Sequence, residues 1–199
     1  MKCPLFPRIA FIFAVILPTF SAALSAQTNS SPPASLPGVS RTYDQRVTNK
    51  YDKFKQKTYF SIPETSTSDV TLNGHSASPL VRSMESTGGF SCPGEVESCR
   101  PTKVEILFVA STADWAFQGS KEANFLIDGK PLSATFDHDG QVLGGDDLIE
   151  YLDVLAEPSV LVAIGKAQKV EVQLGHFEFE LTTENIANLR ALAQHVTAR

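Results

Sequence analysis

Lys169 to Leu181 reads KVEVQLGHFEFEL, and one arrangement puts all its large apolar side chains on the same side. With Gly175-His176 as a two-residue loop, Leu174 faces Phe177, Val172 faces Phe179 and Val170 faces Leu181. Glu171, Gln173, Glu178 and Glu180 then line the opposite face. A slip of one residue would send every apolar side chain into water, so the register is strongly determined. A hairpin buried on one side needs a sheet or helices to cover it. The remaining sequence supplies both.

Short strand-forming runs bounded by turn residues occur at Thr58–Ile62, Pro79–Ser86, Val104–Ser111, Ala123–Ile127 and Leu132–Phe136. Asp128-Gly129 predicts a second hairpin, with Phe125 opposite Leu132 and Ala123 opposite Ala134. Pro131 then faces Leu126 at a position where its missing N–H costs little. Residues 147–155 (DLIEYLDVL) fit a helix about as well as a strand, and the need for sheet partners favours a strand. Pro158 opens a helix with Leu161, Ile164 and Ala167 on one side. Thr182 caps another, which carries Ile186, Leu189, Leu192 and Val196. The expected fold is therefore α+β, with an antiparallel sheet or sandwich-like core and two C-terminal helices. Its core is expected to include Ile106, Phe108, Phe125, Val172, Phe179, Leu189 and Leu192.

The N-terminus predicts a destination. Lys2 and Arg8 precede nine apolar residues (Ile9–Leu17) and a small-residue stretch, Ser21–Ala26. This is the order of a secretory signal peptide, and the apolar run is too short to span a bilayer as a helix. Cleavage after Ala23, Ser25 or Ala26 fits, and Ala26 is taken as the boundary, giving a signal over 1–26. No membrane anchor is expected after cleavage. Losing Lys2 and Arg8 and no acid moves the formal charge from −5 to −7. That balance argues against nucleic acid or an anionic membrane as the main partner. Residues 27–56 read as a Ser/Pro-rich tether followed by a charged lead-in with a helical turn, and 57–199 as a single globular domain. Asn29-Ser30-Ser31 has the form of a glycosylation acceptor, and Glu64–Asp69 reads as a surface loop.

Cys3 leaves with the signal, so Cys92 and Cys99 are the two cysteines of the mature chain. In an oxidising compartment an even pair reads as a disulfide, here closing the loop CPGEVESC. The spacing is not Cys-x-x-Cys, so a structural bond is favoured over a redox role.

From Glu150 onward the chain resembles a C-terminal module of uncharacterised exported bacterial proteins. The resemblance lies in an apolar segment, a helix ending at Ala167, Val170-Glu171-Val172, Leu174-Gly175, Phe177–Leu181 and the helix after Thr182-Thr183. The chain is more loosely similar to the end of invasion-associated locus B-like periplasmic proteins. These resemblances imply a fold and a secreted or periplasmic location. They imply no activity and no functional residue.

Asp137-His138-Asp139-Gly140 and Gly144-Gly145-Asp146-Asp147 form the densest group of potential metal ligands. Hard carboxylate oxygens in a glycine-rich loop suit calcium, so Asp137, Asp139, Asp146 and Asp147 are the candidate ligands. The EF-hand spacing is not present, and Asp and Gly are also ordinary turn residues. His75, His138, His176 and His195 lack zinc-ligand spacing. His176 reads as a turn residue, and His195 as a cation at a helix C-terminus. There is no Gly-x-Ser-x-Gly elbow. Glu171, Glu178 and Glu180 are expected on a solvated face or weak contact surface, and Trp115 reads as core. No catalytic residues are assigned. The resulting expectation is a non-enzymatic binding or structural module of the cell envelope, acting on an unknown protein or envelope component and needing no cofactor. The alternatives are a calcium-stabilised module and a small hydrolase with a dispersed active site.

Overall fold

A computed structural model describes residues 45–78, 80–145 and 147–196. The expected signal peptide, the expected tether up to residue 44 with its Asn29-Ser30-Ser31 acceptor, and Asp146 lie outside the described residues. The strands are β1 (Thr48–Asp52), β2 (Lys57–Ser66), β3 (Thr71–Leu72), β4 (His75–Ser76), β5 (Val81–Pro93) and β6 (Val104–Thr112). They continue with β7 (Glu122–Ile127), β8 (Lys130–Gly144), β9 (Asp147–Ala156), β10 (Val170–Leu174) and β11 (Phe177–Glu180). Helix α1 (Pro158–Lys166) lies between β9 and β10, and α2 (Thr183–Ala193) follows β11.

All eleven strands of the described residues belong to one antiparallel sheet, in the order β1-β2-β5-β6-β9-β8-β7-β10-β11-β3-β4. Strand β8 joins its two halves: Lys130–Thr135 pair with β7, and Phe136–Gly144 pair with β9. The sheet is strongly curled. Strands β6 and β11 are five places apart in the order, yet the rings of Phe108 and Phe179 meet edge-on at 5.3 Å. Phe125 on β7 reaches Phe108 at 6.5 Å. These aromatic residues converge on the inner side of a half-barrel, which sets the core. Helix α2 covers β2 and β5 from that side, where a Cβ on Gly88 would lie 3.4 Å from Leu189 and 3.7 Å from Leu192. Helix α1 packs on α2 so closely that a Cβ on Gly165 would lie 2.9 Å from the Arg190 Cα.

The expected α+β class is thereby corrected. The protein is mostly antiparallel β-structure, and its two short helices are accessories to a curled sheet. The difference arises in polar segments. Thr48–Asp52, placed in the charged lead-in, is edge strand β1, so the sheet starts before residue 57. Part of the expected Glu64–Asp69 loop continues β2. Asp137–Gly144 extends β8 instead of forming a turn. This last stretch pairs with β9 on one side and has no ladder to β7, and an edge segment tolerates charge and glycine that a central strand does not.

The two predicted hairpins have the expected registers. Val172 faces Phe179, Leu174 faces Phe177, and the Leu181 N–H donates to the Val170 carbonyl at 2.9 Å. Across Asp128-Gly129, Phe125 faces Leu132 and Leu126 faces Pro131. Thr182 caps α2, accepting from the Asn185 N–H at 3.2 Å, while Asn185 Oδ1 accepts from the Thr182 N–H at 2.7 Å.

Candidate functional site

Cys92 and Cys99 form a disulfide with a Cα–Cα separation of 6.1 Å. The bond suits an oxidising compartment. Among the described residues no helix is long and apolar enough to cross a membrane. The closed loop also clamps the end of α2: the Cys99 N–H donates to the His195 carbonyl at 3.0 Å, and His195 Nδ1 meets the Glu97 carbonyl at 2.8 Å. His195 lies just beyond the C-terminal end of α2, where it is buried and packed on Phe60.

Of the expected calcium ligands, Asp137, Asp139 and Asp147 are among the described residues. Asp137 and Asp139 lie on the exposed outer side of β8, whereas Asp147 starts β9 opposite Gly144 and pairs with Arg82. Five residues of extended chain, about 17 Å, separate Asp139 from Gly144. Asp146 lies outside the described residues. No group of three or more side chains arranged to hold a metal occurs among the described residues.

Asp137 instead faces Asp153 across the β8–β9 ladder, with Glu105 near by on β6. Burial first, then the charge of Asp137, raises the Asp153 pKa above the usual carboxylate value. Burial and then Asp153 do the same for Glu105. The Asp153 Oδ1 is buried without a hydrogen-bond partner among the described residues. This arrangement is a source of repulsion on the outer face.

Glu171, Glu178 and Glu180 do share a surface. They line a groove of about 680 Å³ over β7, β8, β10 and β11, together with Asn124, Leu126 and Gln173. Its polar side chains form a directed row across four strands. Ser133 Oγ donates to Asn124 Oδ1 at 2.7 Å, Asn124 Nδ2 to Gln173 Oε1 at 3.2 Å, and Gln173 Nε2 to Glu178 Oε1 at 2.9 Å. The β3 residue Thr71 donates to the Glu178 carbonyl at 3.2 Å. One rung along, Glu171 and Glu180 face each other, and Lys169 Nζ lies 3.0 Å from each. Their hydrogen bonds, Glu180 first, hold the lysine pKa above its ordinary value. This like-charge pair thus has a neutralising cation. The inward alternation of the hairpin identified the acids, but the row depends on Asn124 and Ser133, which only cross-strand pairing brings beside Gln173.

A second polar centre was not anticipated. Glu150 lies on the inward face of β9 between Leu148 and Leu152 and is 0% exposed. Its Oε1 accepts from Thr112 Oγ1 at 3.0 Å and the Ala116 N–H at 2.8 Å. Its Oε2 accepts from the Phe117 N–H at 3.2 Å and lies 2.7 Å from His138 Nε2. The carboxylate thereby pins the loop after β6 against the sheet. Trp115, half-buried in that loop, meets the His138 ring edge-on at 5.8 Å and covers Gly140. It is a lid over the pair more than a core residue. The sequence did carry a signal: in the inward phase Leu148, Glu150, Leu152, Val154, one carboxylate interrupts the apolar residues.

No family model matches this sequence, and no curated protein or solved structure matches it.

Proposed function

We propose that this chain is an exported, secreted or periplasmic, non-enzymatic binding module of the cell envelope that holds a hydroxyl-rich ligand in the groove over β7, β8, β10 and β11. The observation that carries the reading is the row Ser133–Asn124–Gln173–Glu178. Amide side chains offer both donors and acceptors, and mutual hydrogen bonds hold them ready in one orientation before a ligand arrives. Leu126, exposed beside the row, adds an apolar contact for the less polar face of a sugar-like unit. The leader-like N-terminus, the disulfide and the resemblance of the C-terminal segment to exported bacterial proteins support the location.

Calorimetric titration with a panel of soluble envelope saccharides tests the reading. The expected result is a binder whose affinity falls about tenfold for Gln173→Ala and for Glu178→Ala, as for loss of a hydrogen bond involving a charged group. A panel with no binder, or a binder indifferent to both substitutions, overturns it.

A small hydrolase is the second reading, and the Glu150–His138 pair is the observation that favours it. A buried carboxylate that receives Nε2–H orients an imidazole so that Nδ1 can take a proton. Turnover on a panel of ester and amide substrates, abolished by His138→Gln, would replace the binding reading with this one.

A further inference from the structure

The turn end of the β1–β2 hairpin is cationic and exposed. Residues 48–59 carry Lys50, Lys53, Lys55 and Lys57 against Asp52 alone, in a chain whose formal charge is −5. Phe54 stands at the tip and is 89% exposed. The tip is held in shape. Asp52 Oδ1 accepts from the N–H groups of Phe54 at 2.9 Å and Lys55 at 3.1 Å, so the lone acid faces into the turn. The Gly94 N–H donates to the Gln56 carbonyl at 2.8 Å, which ties the turn to the disulfide loop. Lys53 Nζ lies 5.2 Å from the Phe54 ring centroid, and Lys55 Nζ lies 5.7 Å from that of Tyr59.

Lysines on an edge strand also discourage pairing with other chains, which accounts for Lys50. It does not account for an exposed phenylalanine at the turn between two lysines. An aromatic tip flanked by ammonium groups matches the layered chemistry of a membrane surface, where apolar groups enter below anionic phosphates. Single-stranded nucleic acid is favoured less, because stacking platforms lie along a groove and Phe54 projects from an end.

We infer that the β1–β2 hairpin docks the folded protein on an anionic phospholipid surface, with Phe54 entering the interface and Lys53 and Lys55 on the lipid phosphates. The chain's overall acidity argues against an anionic membrane as the main partner, but exposed charges more than about 8 Å from the hairpin are largely screened at physiological salt, so the local lysines govern docking.

Sedimentation with phosphatidylcholine vesicles, with and without an equal part of phosphatidylglycerol, tests the inference on protein recovered after export. The expected result is binding that requires phosphatidylglycerol and weakens as salt rises. The Lys53→Gln/Lys55→Gln double variant should bind about 25-fold more weakly, at about fivefold per lysine. Phe54→Ser should lose about tenfold. Lys130→Gln, on the far hairpin, should bind as the parent does. The tip residues are exposed, so melting temperatures should match and separate lost docking from lost folding. Equal binding to both vesicle types, no binding to either, or indifference to the tip substitutions overturns the inference. So does a preference for a single-stranded oligonucleotide, or self-association abolished by the same substitutions. Soluble glycerophosphate that competes at equal headgroup concentration would identify a phosphate site and exclude a membrane-docking one.

Discussion

The Glu150 carboxylate stands 2.7 Å from His138 Nε2, fully buried, in a strand position where its neighbours on the same face are leucines. Its other three hydrogen bonds go to Thr112 and to the backbone of Ala116 and Phe117, so one side chain joins β6, β8, β9 and the loop that carries Trp115. Glu150→Ala would leave those donors buried without an acceptor. The expected cost is about 3–5 kcal/mol, read from urea unfolding. Glu150→Gln keeps one acceptor oxygen and should cost less, about 1–3 kcal/mol. Equal small losses for both would show that the loop closes without the carboxylate.

Gly140 lies under Trp115. A Cβ there would be 2.5 Å from Trp115 Cζ3 and 2.8 Å from the Ile149 carbonyl. Gly140→Ala should therefore displace the indole while the backbone carbonyl stays in the ladder. Trp115 is the single tryptophan of the chain, so its fluorescence reports the site alone. A red-shifted emission and a stability loss of about 1–3 kcal/mol are expected. An unchanged spectrum would show that Trp115 does not cover Gly140 in solution.

The outer-face acids predict a pH dependence. Asp153 and Glu105 hold their protons more tightly when folded than when unfolded, because burial and neighbouring acids disfavour their charge. The stability they contribute is present below the ordinary carboxyl pKa and is lost as pH rises through their folded values. Asp52 has the opposite sign. Its pKa is lowered, first by the Lys55 N–H, and its contribution is lost only as pH falls through that lower value. Asp153→Asn should thus raise the melting temperature at neutral pH and flatten its rise on mild acidification. A melting temperature that falls at neutral pH would show that the Asp153 charge is favourable.

The disulfide closes a short loop that clamps the end of α2. Replacing Cys92 and Cys99 by serine should cost about 2–3 kcal/mol for a loop of this length. The Cys99 N–H also donates to the His195 carbonyl, so amide exchange in the last turn of α2 should quicken more than exchange in β6. Uniform change across both elements would mean that the clamp on α2 is independent of the bond.

Local pattern determined the pieces that depend on near neighbours in the chain. The alternation of Val170, Val172, Leu174 and Phe177, Phe179, Leu181 leaves one register that buries both strands, and Asp128-Gly129 defines its own turn. Thr182 and Asn185, three residues apart, cap α2 for the same local reason. Tertiary structure decided what is polar and non-local. Thr48–Asp52 and Asp137–Gly144 carry no apolar stripe and become strands because a neighbouring strand offers unpaired backbone groups. The curl that brings Phe108 to Phe179, and the row joining Ser133, Asn124, Gln173 and Glu178, arise from pairing between strands distant in sequence. Glu150 shows the boundary most clearly. Alternation could place it inward, but only the folded loop supplies the Ala116 and Phe117 N–H groups that make a buried carboxylate tolerable.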